Sequence, residues 1–157
     1  MNRLLLSMTC LGLAAVSLPS VAETATGSMT VTAQVTKSCT IGAADMAFPS
    51  YSQTANVDTS AVVTVQCTGT SGALGFTVNN GANFLVSRRL TDATNFLNYT
   101  IAVTQGAAAI DDATAVPVTV SASTGGGTAT LFGRIPTGQG NKPAGNYTDT
   151  VVVTLTY

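Results

Sequence analysis

Tyr147-Thr148-Asp149-Thr150-Val151-Val152-Val153-Thr154-Leu155-Thr156-Tyr157 is the stretch on which the reading of this chain turns. Tyr147, Val151, Val153, Leu155 and Tyr157 share one parity, and Thr148, Thr150, Thr154 and Thr156 share the other. Successive side chains of a strand point to opposite faces, so the alternation predicts a strand over 147–157 with one face in a core and one in water. With Tyr157 as the last residue of the sequence, the strand is expected to stay packed to its end. A second alternation lies near the other terminus: Gly27, Met29, Val31, Ala33 and Val35 against Ser28, Thr30, Thr32, Gln34 and Thr36. This amphipathic segment reads either as the first strand of the same sandwich or as a detachable strand that completes a neighbouring copy. Periodicity is identical in the two cases.

Between these segments, strand-like runs recur near Val62–Cys67, Gly75–Asn79, Asn98–Val103, Val116–Ser121 and Thr128–Ile135. They are separated by Thr68-Gly69-Thr70-Ser71-Gly72, Asn79-Asn80-Gly81, Gly125-Gly126-Gly127 and Gly138-Gln139-Gly140-Asn141, which supply turn residues. Short strands with such punctuation, and no helical apolar stripe, predict an all-β sandwich or barrel. Pro117 cannot donate to a ladder, so its strand is expected at an edge or with a bulge. No second domain and no internal repeat are visible.

Arg3 followed by the apolar run Leu4–Leu18 and by Ser20-Val21-Ala22 reads as a secretory signal peptide over 1–22, with Cys10 removed along with it. Cys39 and Cys67 then reach an oxidising compartment, where a disulfide is the default, closing a loop with roughly 3–4 kcal/mol of chain entropy removed from the unfolded state. A metal site on two cysteines is a weak alternative in a chain without histidine. Lys37, Arg88, Arg89, Arg134 and Lys142 face seven carboxylates, so neither nucleic acid nor an anionic membrane finds a basic stripe.

Chemistry-bearing motifs are equally sparse. No Gly-x-Ser-x-Gly elbow is present, and Gly125-Gly126-Gly127 lacks the Lys-Ser/Thr and helix start of a phosphate loop. Asp111-Asp112 reads as a solvated turn, and the Arg88-Arg89 pair is expected to be solvated, or else to line a subunit contact. Tyr51, Tyr99 and Phe84 are the candidate sugar platforms of a glycan-binding sandwich, although aromatics in such positions are more often core. Asn98-Tyr99-Thr100 and Asn146-Tyr147-Thr148 match a glycosylation sequon in a chain where threonine makes chance matches common. The expectation is a non-enzyme without cofactor or metal.

Cys39-Thr40-Ile41, Phe48, Val65-Gln66-Cys67, Arg89-Leu90, Leu97-Asn98-Tyr99, Leu131-Phe132-Gly133-Arg134-Ile135 and Pro143-Ala144-Gly145-Asn146-Tyr147-Thr148-Asp149-Thr150-Val151 together resemble spore coat protein U domains. That family includes subunits of Csu-type archaic chaperone–usher pili. The resemblance implies an immunoglobulin-like β-sandwich that lacks its last strand, over 37–157, preceded by a donor-strand arm over 23–36. It implies that Gly27, Met29, Val31, Ala33 and Val35 form the donor strand, and that Tyr147, Val151, Val153, Leu155 and Tyr157 border the acceptor groove. The implied partners are identical or related pilus subunits, a periplasmic chaperone and an outer-membrane usher. The implied role is that of a structural subunit of a surface fimbrium, exported first to the periplasm, serving adhesion and biofilm formation. A secreted glycan-binding sandwich and a spore or cyst coat protein are the alternatives.

Overall fold

A computed structural model describes residues 21–157, and the predicted signal segment lies outside them except for its last two residues. The chain divides after Ala33 into two units. In the first, residues 21–33 form no strand and their side chains are exposed. The second, Gln34–Tyr157, is built from eight strands. These are β1 (Ser38–Ala43), β2 (Val57–Thr68), β3 (Gly72–Val78), β4 (Arg88–Thr91), β5 (Phe96–Ala102), β6 (Val116–Val120), β7 (Gly126–Ile135) and β8 (Val153–Thr156).

All ladders are antiparallel and arrange the strands in two sheets, β1-β2-β7-β5-β4 and β6-β3-β8. The core between them is rich in valine: Val63, Val78, Val118 and Val120 are wholly buried together with Phe76 and Ile135. β-Branched side chains suit a pleated, half-buried surface, so the same residues that favour extended backbone also fill the interior. Pro117 lies on β6, an edge strand paired only with β3, where its missing N–H costs no ladder bond.

Three features differ from the sequence reading. β1 and β4 are strands that period-2 patterning did not single out, because β1 is short and β4 carries two arginines. The expected strand over 147–157 keeps a ladder only over Val153–Thr156. Ahead of it, Thr148 to Val152 run beside the loop after β3 and the end of β4. Ala82 N–H donates to Thr150 O at 3.0 Å, and Thr148 and Thr91 exchange two bonds of 2.9 Å. Third, Arg88 is buried, not solvated, because its strand parity turns it inward. Arg89 is half-buried, its guanidinium 4.1 Å from the centre of the Phe96 ring.

Motif residues have definite structural duties. Cys39 and Cys67 stand directly opposite each other on β1 and β2 and form a disulfide, which fastens the edge strand β1 to the sheet. Arg134 lies across from Asp58 and grips its carboxylate with two bonds of 2.6 and 2.8 Å. Gly133 next to Arg134 faces inward, and Met46 and Phe48 pack directly over it. A Cβ there would meet the Met46 sulfur and sit 2.8 Å from Phe48 Cζ.

Gly133→Val is therefore expected to lower stability by about 1–3 kcal/mol through overpacking. Gly42→Ala, whose new Cβ would meet only Thr64 Oγ1 at 3.4 Å, should have little effect. Thermal unfolding of the two variants beside the parent checks this, and a Tm for Gly133→Val equal to the parent's would contradict it.

Candidate acceptor groove

On the side of the sandwich where β1 and β8 lie, both sheets end in an unpaired edge. β1 pairs only with β2, and β8 only with β3. Main-chain groups alternate from side to side along a strand. Ala44 N–H donates to Val62 O at 2.9 Å, so the even-numbered residues of β1 turn their main chain toward β2. Asn79 N–H donates to Val152 O, and Val152 N–H to Asn79 Oδ1, so the even-numbered residues of the last segment turn toward β3. It follows that Cys39, Ile41 and Ala43 on one side and Val151, Val153 and Leu155 on the other direct main-chain donors and acceptors to the open edges. Five of these six are also partly buried against the core, Ala43 being exposed, so the same residues offer apolar side chains and unpaired backbone.

β1 and β8 approach within 8 Å of one another yet share no ladder. Beyond the end of β1 the two walls part around a cavity of about 350 Å³. Ala43, Ala44, Asp45, Met46 and Phe48 form one wall, and Asp149, Thr150, Val151 and Val153 the other. Its floor is core: Val63, Val78, Leu90, Tyr99, Ile101 and Leu131. A slot with an apolar floor, opening where two unpaired strand edges part, has a shape that one further strand can fill.

A polar knot holds the second wall. Asp149 Oδ2 accepts the Tyr99 hydroxyl at 2.7 Å, while Oδ1 accepts the main-chain and side-chain N–H groups of Asn83, each at 3.1 Å. Gly81, at φ +84°, is required here, because a Cβ would collide with the Asp149 carboxylate. Burial, reinforced by the hydrogen bond to Asp149, raises the Tyr99 pKa well above its ordinary value, so the phenol stays a donor. Arg88 closes the knot from below, donating to the carbonyls of Val78 at 3.0 Å, Asn79 at 2.9 and 3.1 Å, and Ile110 at 2.6 Å. Burial pulls its pKa down, against the opposing influence of Tyr99 and nearby carboxylates, and its carbonyl partners take the place of an ion pair.

Of the residues expected to border a groove, Val151 and Val153 line the cavity. Tyr147 and Leu155 pack against the core outside it, and Tyr157 is half exposed. Among the expected donor residues, Met29, Val31 and Val35 are 85, 83 and 72% exposed, and Gly27 and Ala33 are exposed as well. The first wall, Ala43 to Phe48, was not identified from the alternation. Nor was Asp149, although its odd number places a carboxylate on the apolar parity of the last strand. Of the candidate sugar platforms, Tyr99 is buried, Tyr51 is half-buried and donates to Gly140 O at 3.1 Å, and Phe84 is exposed. Asp111 and Asp112 are exposed, and Asp111 accepts a hydrogen bond from Thr114.

The fold and its open side define a class, the immunoglobulin-like sandwich with an unpaired edge on each sheet. Within that class the chain belongs to the Spore Coat Protein U domain family, which it matches over residues 25–154. No curated protein matches it. Among solved structures it is similar to the CsuC–CsuE chaperone–tip adhesion subunit pre-assembly complex from archaic chaperone–usher Csu pili of Acinetobacter baumannii. The TM-score is 0.57 at 20% identity, over 77% of this chain and 40% of that one. At this identity the likeness establishes the fold. A chaperone–tip adhesin complex of CFA/I fimbriae biogenesis gives a looser match, with a TM-score of 0.43 and 15% identity over 74% and 41% of the two chains. The chain thus spans two-fifths of the length of these solved relatives.

The β4–β5 turn beside the second wall has an acid limit. Asp92 accepts the N–H groups of Asn95 at 2.6 Å and Thr94 at 2.9 Å and the Asn95 side chain at 3.0 Å, and these bonds hold its pKa at about 2 against an ordinary 3.8. A depressed folded pKa contributes stability that is complete above the unfolded value and is lost as pH falls through the folded one. The amide shifts of Thr94 and Asn95 should therefore hold steady down to about pH 4 and move with a midpoint near 2. NMR titration checks this, and a midpoint at 3.8 would contradict it.

Proposed function

We propose that this chain is a structural subunit of an extracellular pilus, built by the chaperone–usher route through donor-strand complementation. In this reading Gly27–Val35 of one copy enters the groove between β1 and β8 of the next, with Met29, Val31, Ala33 and Val35 facing the core. The observation that carries the reading is the pair of unpaired strand edges, β1 and β8, which part at the end of β1 around a cavity with an apolar floor. Burying Met29, Val31 and Val35 from their exposed positions contributes roughly 1.5–3 kcal/mol apiece, and the ladders add about 1 kcal/mol per bond.

Chain geometry favours exchange over self-docking. Only Thr36 and Lys37 separate Val35 from β1. A strand lying parallel to its own β1 needs a crossover of a dozen or so residues. The antiparallel alternative is a two-residue hairpin at Thr36-Lys37, and such turns demand positive φ, which favours Gly, Asn or Asp. A periplasmic chaperone and an outer-membrane usher are the partners that such an open subunit needs, because an uncovered apolar edge aggregates. The subunit is then exported to the periplasm and ends at the cell surface, where adhesion and biofilm formation are outputs of the fibre. The role is architectural, without cofactor or catalysis. A coat protein assembled by the same exchange would differ in where the polymer accumulates.

Two variants test the reading. Deleting 23–36 should leave a disulfide-intact monomer bound to chaperone and unable to extend a fibre. Val31→Asp should block assembly, because its carboxylate would be buried without a partner. Each is assayed by SDS gels of surface-sheared material with and without boiling, where strand-exchanged polymers appear as a ladder that collapses on heating. Parental ladders from either variant would overturn the assignment of the arm.

A further inference from the structure

The loop between β3 and β4 carries three consecutive apolar residues, Phe84, Leu85 and Val86, which are 43, 68 and 89% exposed. Its conformation is nonetheless fixed. Ala82 N–H donates to Thr150 O at 3.0 Å, Asn83 is held by Asp149, and Arg89 Nε donates to Asn83 O at 2.8 Å. A restrained loop that presents such a run to water is a contact surface without its partner. Asp149 and Thr150 also line the cavity, so the loop stands at the groove's wide end.

Resting on the groove reading above, we infer that Phe84, Leu85 and Val86 seat the body of the neighbouring copy whose arm fills the groove. Three observations select this occupant. The linker from Val35 to β1 is Thr36-Lys37, and two residues span at most about 7 Å, so the donor's body must rest against the acceptor where its arm emerges. The acceptor's own arm leaves from Ser38, paired with Thr68, at the opposite end of β1 from Ala43 and the cavity. A head-to-tail polymer needs incoming and outgoing neighbours at opposite poles, which places the incoming body at the wide end. Charge agrees. Between Thr24 and Ser38 the only charged residue is Lys37, just after the donor segment, and the groove wall carries an exposed Asp45. With Val35 at the wide end, Lys37 of the neighbour approaches Asp45. The reverse polarity would turn the end bearing Glu23 toward that carboxylate. The arm then runs antiparallel to β8 and parallel to β1.

The test replaces Leu85 with the photo-crosslinker p-benzoylphenylalanine in the full chain, expressed with its native assembly machinery, and irradiates surface fibres. The expected result is a heat-resistant dimer whose crosslink maps to the start of β1 or to residues 68–72 of a second copy. A normal heat-labile ladder with no crosslink to another copy would overturn this inference and leave the groove reading standing. Absence of any ladder in the parent chain would overturn both. Leu85→Ser/Val86→Ser supplies an independent readout. Fibres from this variant should resist shear less, fragmenting at least several-fold faster, while adherence to polystyrene per unit fibre is unchanged. Parental shear resistance with lost adherence would make the loop an adhesive surface and contradict the assignment.

Discussion

Backbone donors and acceptors cannot remain both dry and unpaired, and this chain leaves two rows of them unpaired along half-buried strand edges. Cys39, Ile41 and Ala43 on β1, and Val151, Val153 and Leu155 along the last segment, direct their main chain to open edges. Five of the six also pack partly against the core. Water can satisfy the polar groups only by wetting the apolar floor, and closing the sandwich would bury the polar groups unpaired. One further strand resolves both demands at once. In the proposed assembly Met29, Val31 and Val35, exposed here, supply the apolar face of that strand.

Much of the remaining structure holds the walls of the cavity in place. The Cys39–Cys67 disulfide fastens one edge strand to β2. On the other side, Asp149 ties the last segment to Tyr99 and Asn83, and Gly81 gives the carboxylate room. Arg88 gathers three main-chain carbonyls beneath it. Gly133 lets Met46 and Phe48 lie flat over β7 as part of the first wall. In the proposed assembly these contacts hold the cavity walls ahead of an incoming strand, which lowers the ordering cost deducted from binding.

How much of this was legible depends on where each signal lies. Strands with one wet face announced themselves through alternation, as Val116–Val120 and Thr128–Ile135 do. β4 did not, because Arg88-Arg89 looks solvated unless the carbonyls of Val78, Asn79 and Ile110 are known to converge on it. The floor residues Leu90, Tyr99 and Leu131 read simply as core, since what exposes them to a cavity is the absence of a neighbouring strand, a tertiary fact. Asp149 was available in principle. A carboxylate on the apolar parity of a strand must find donors, and here it finds Tyr99 and Asn83. The arm's role is not legible in its own sequence, because a strand that pairs with a neighbour obeys the same pleat as one that pairs within its own sheet.

The most direct measurement is residue-resolved hydrogen exchange on residues 37–157, with and without a synthetic peptide of residues 23–36. The account predicts that the peptide slows exchange at the odd-numbered edge amides, Ile41 and Ala43 on one side and Val151, Val153 and Leu155 on the other. Val152 and Thr154, already turned toward β3, should change little. Peptide binding with no protection at the odd-numbered amides, or protection confined to another face, would contradict it.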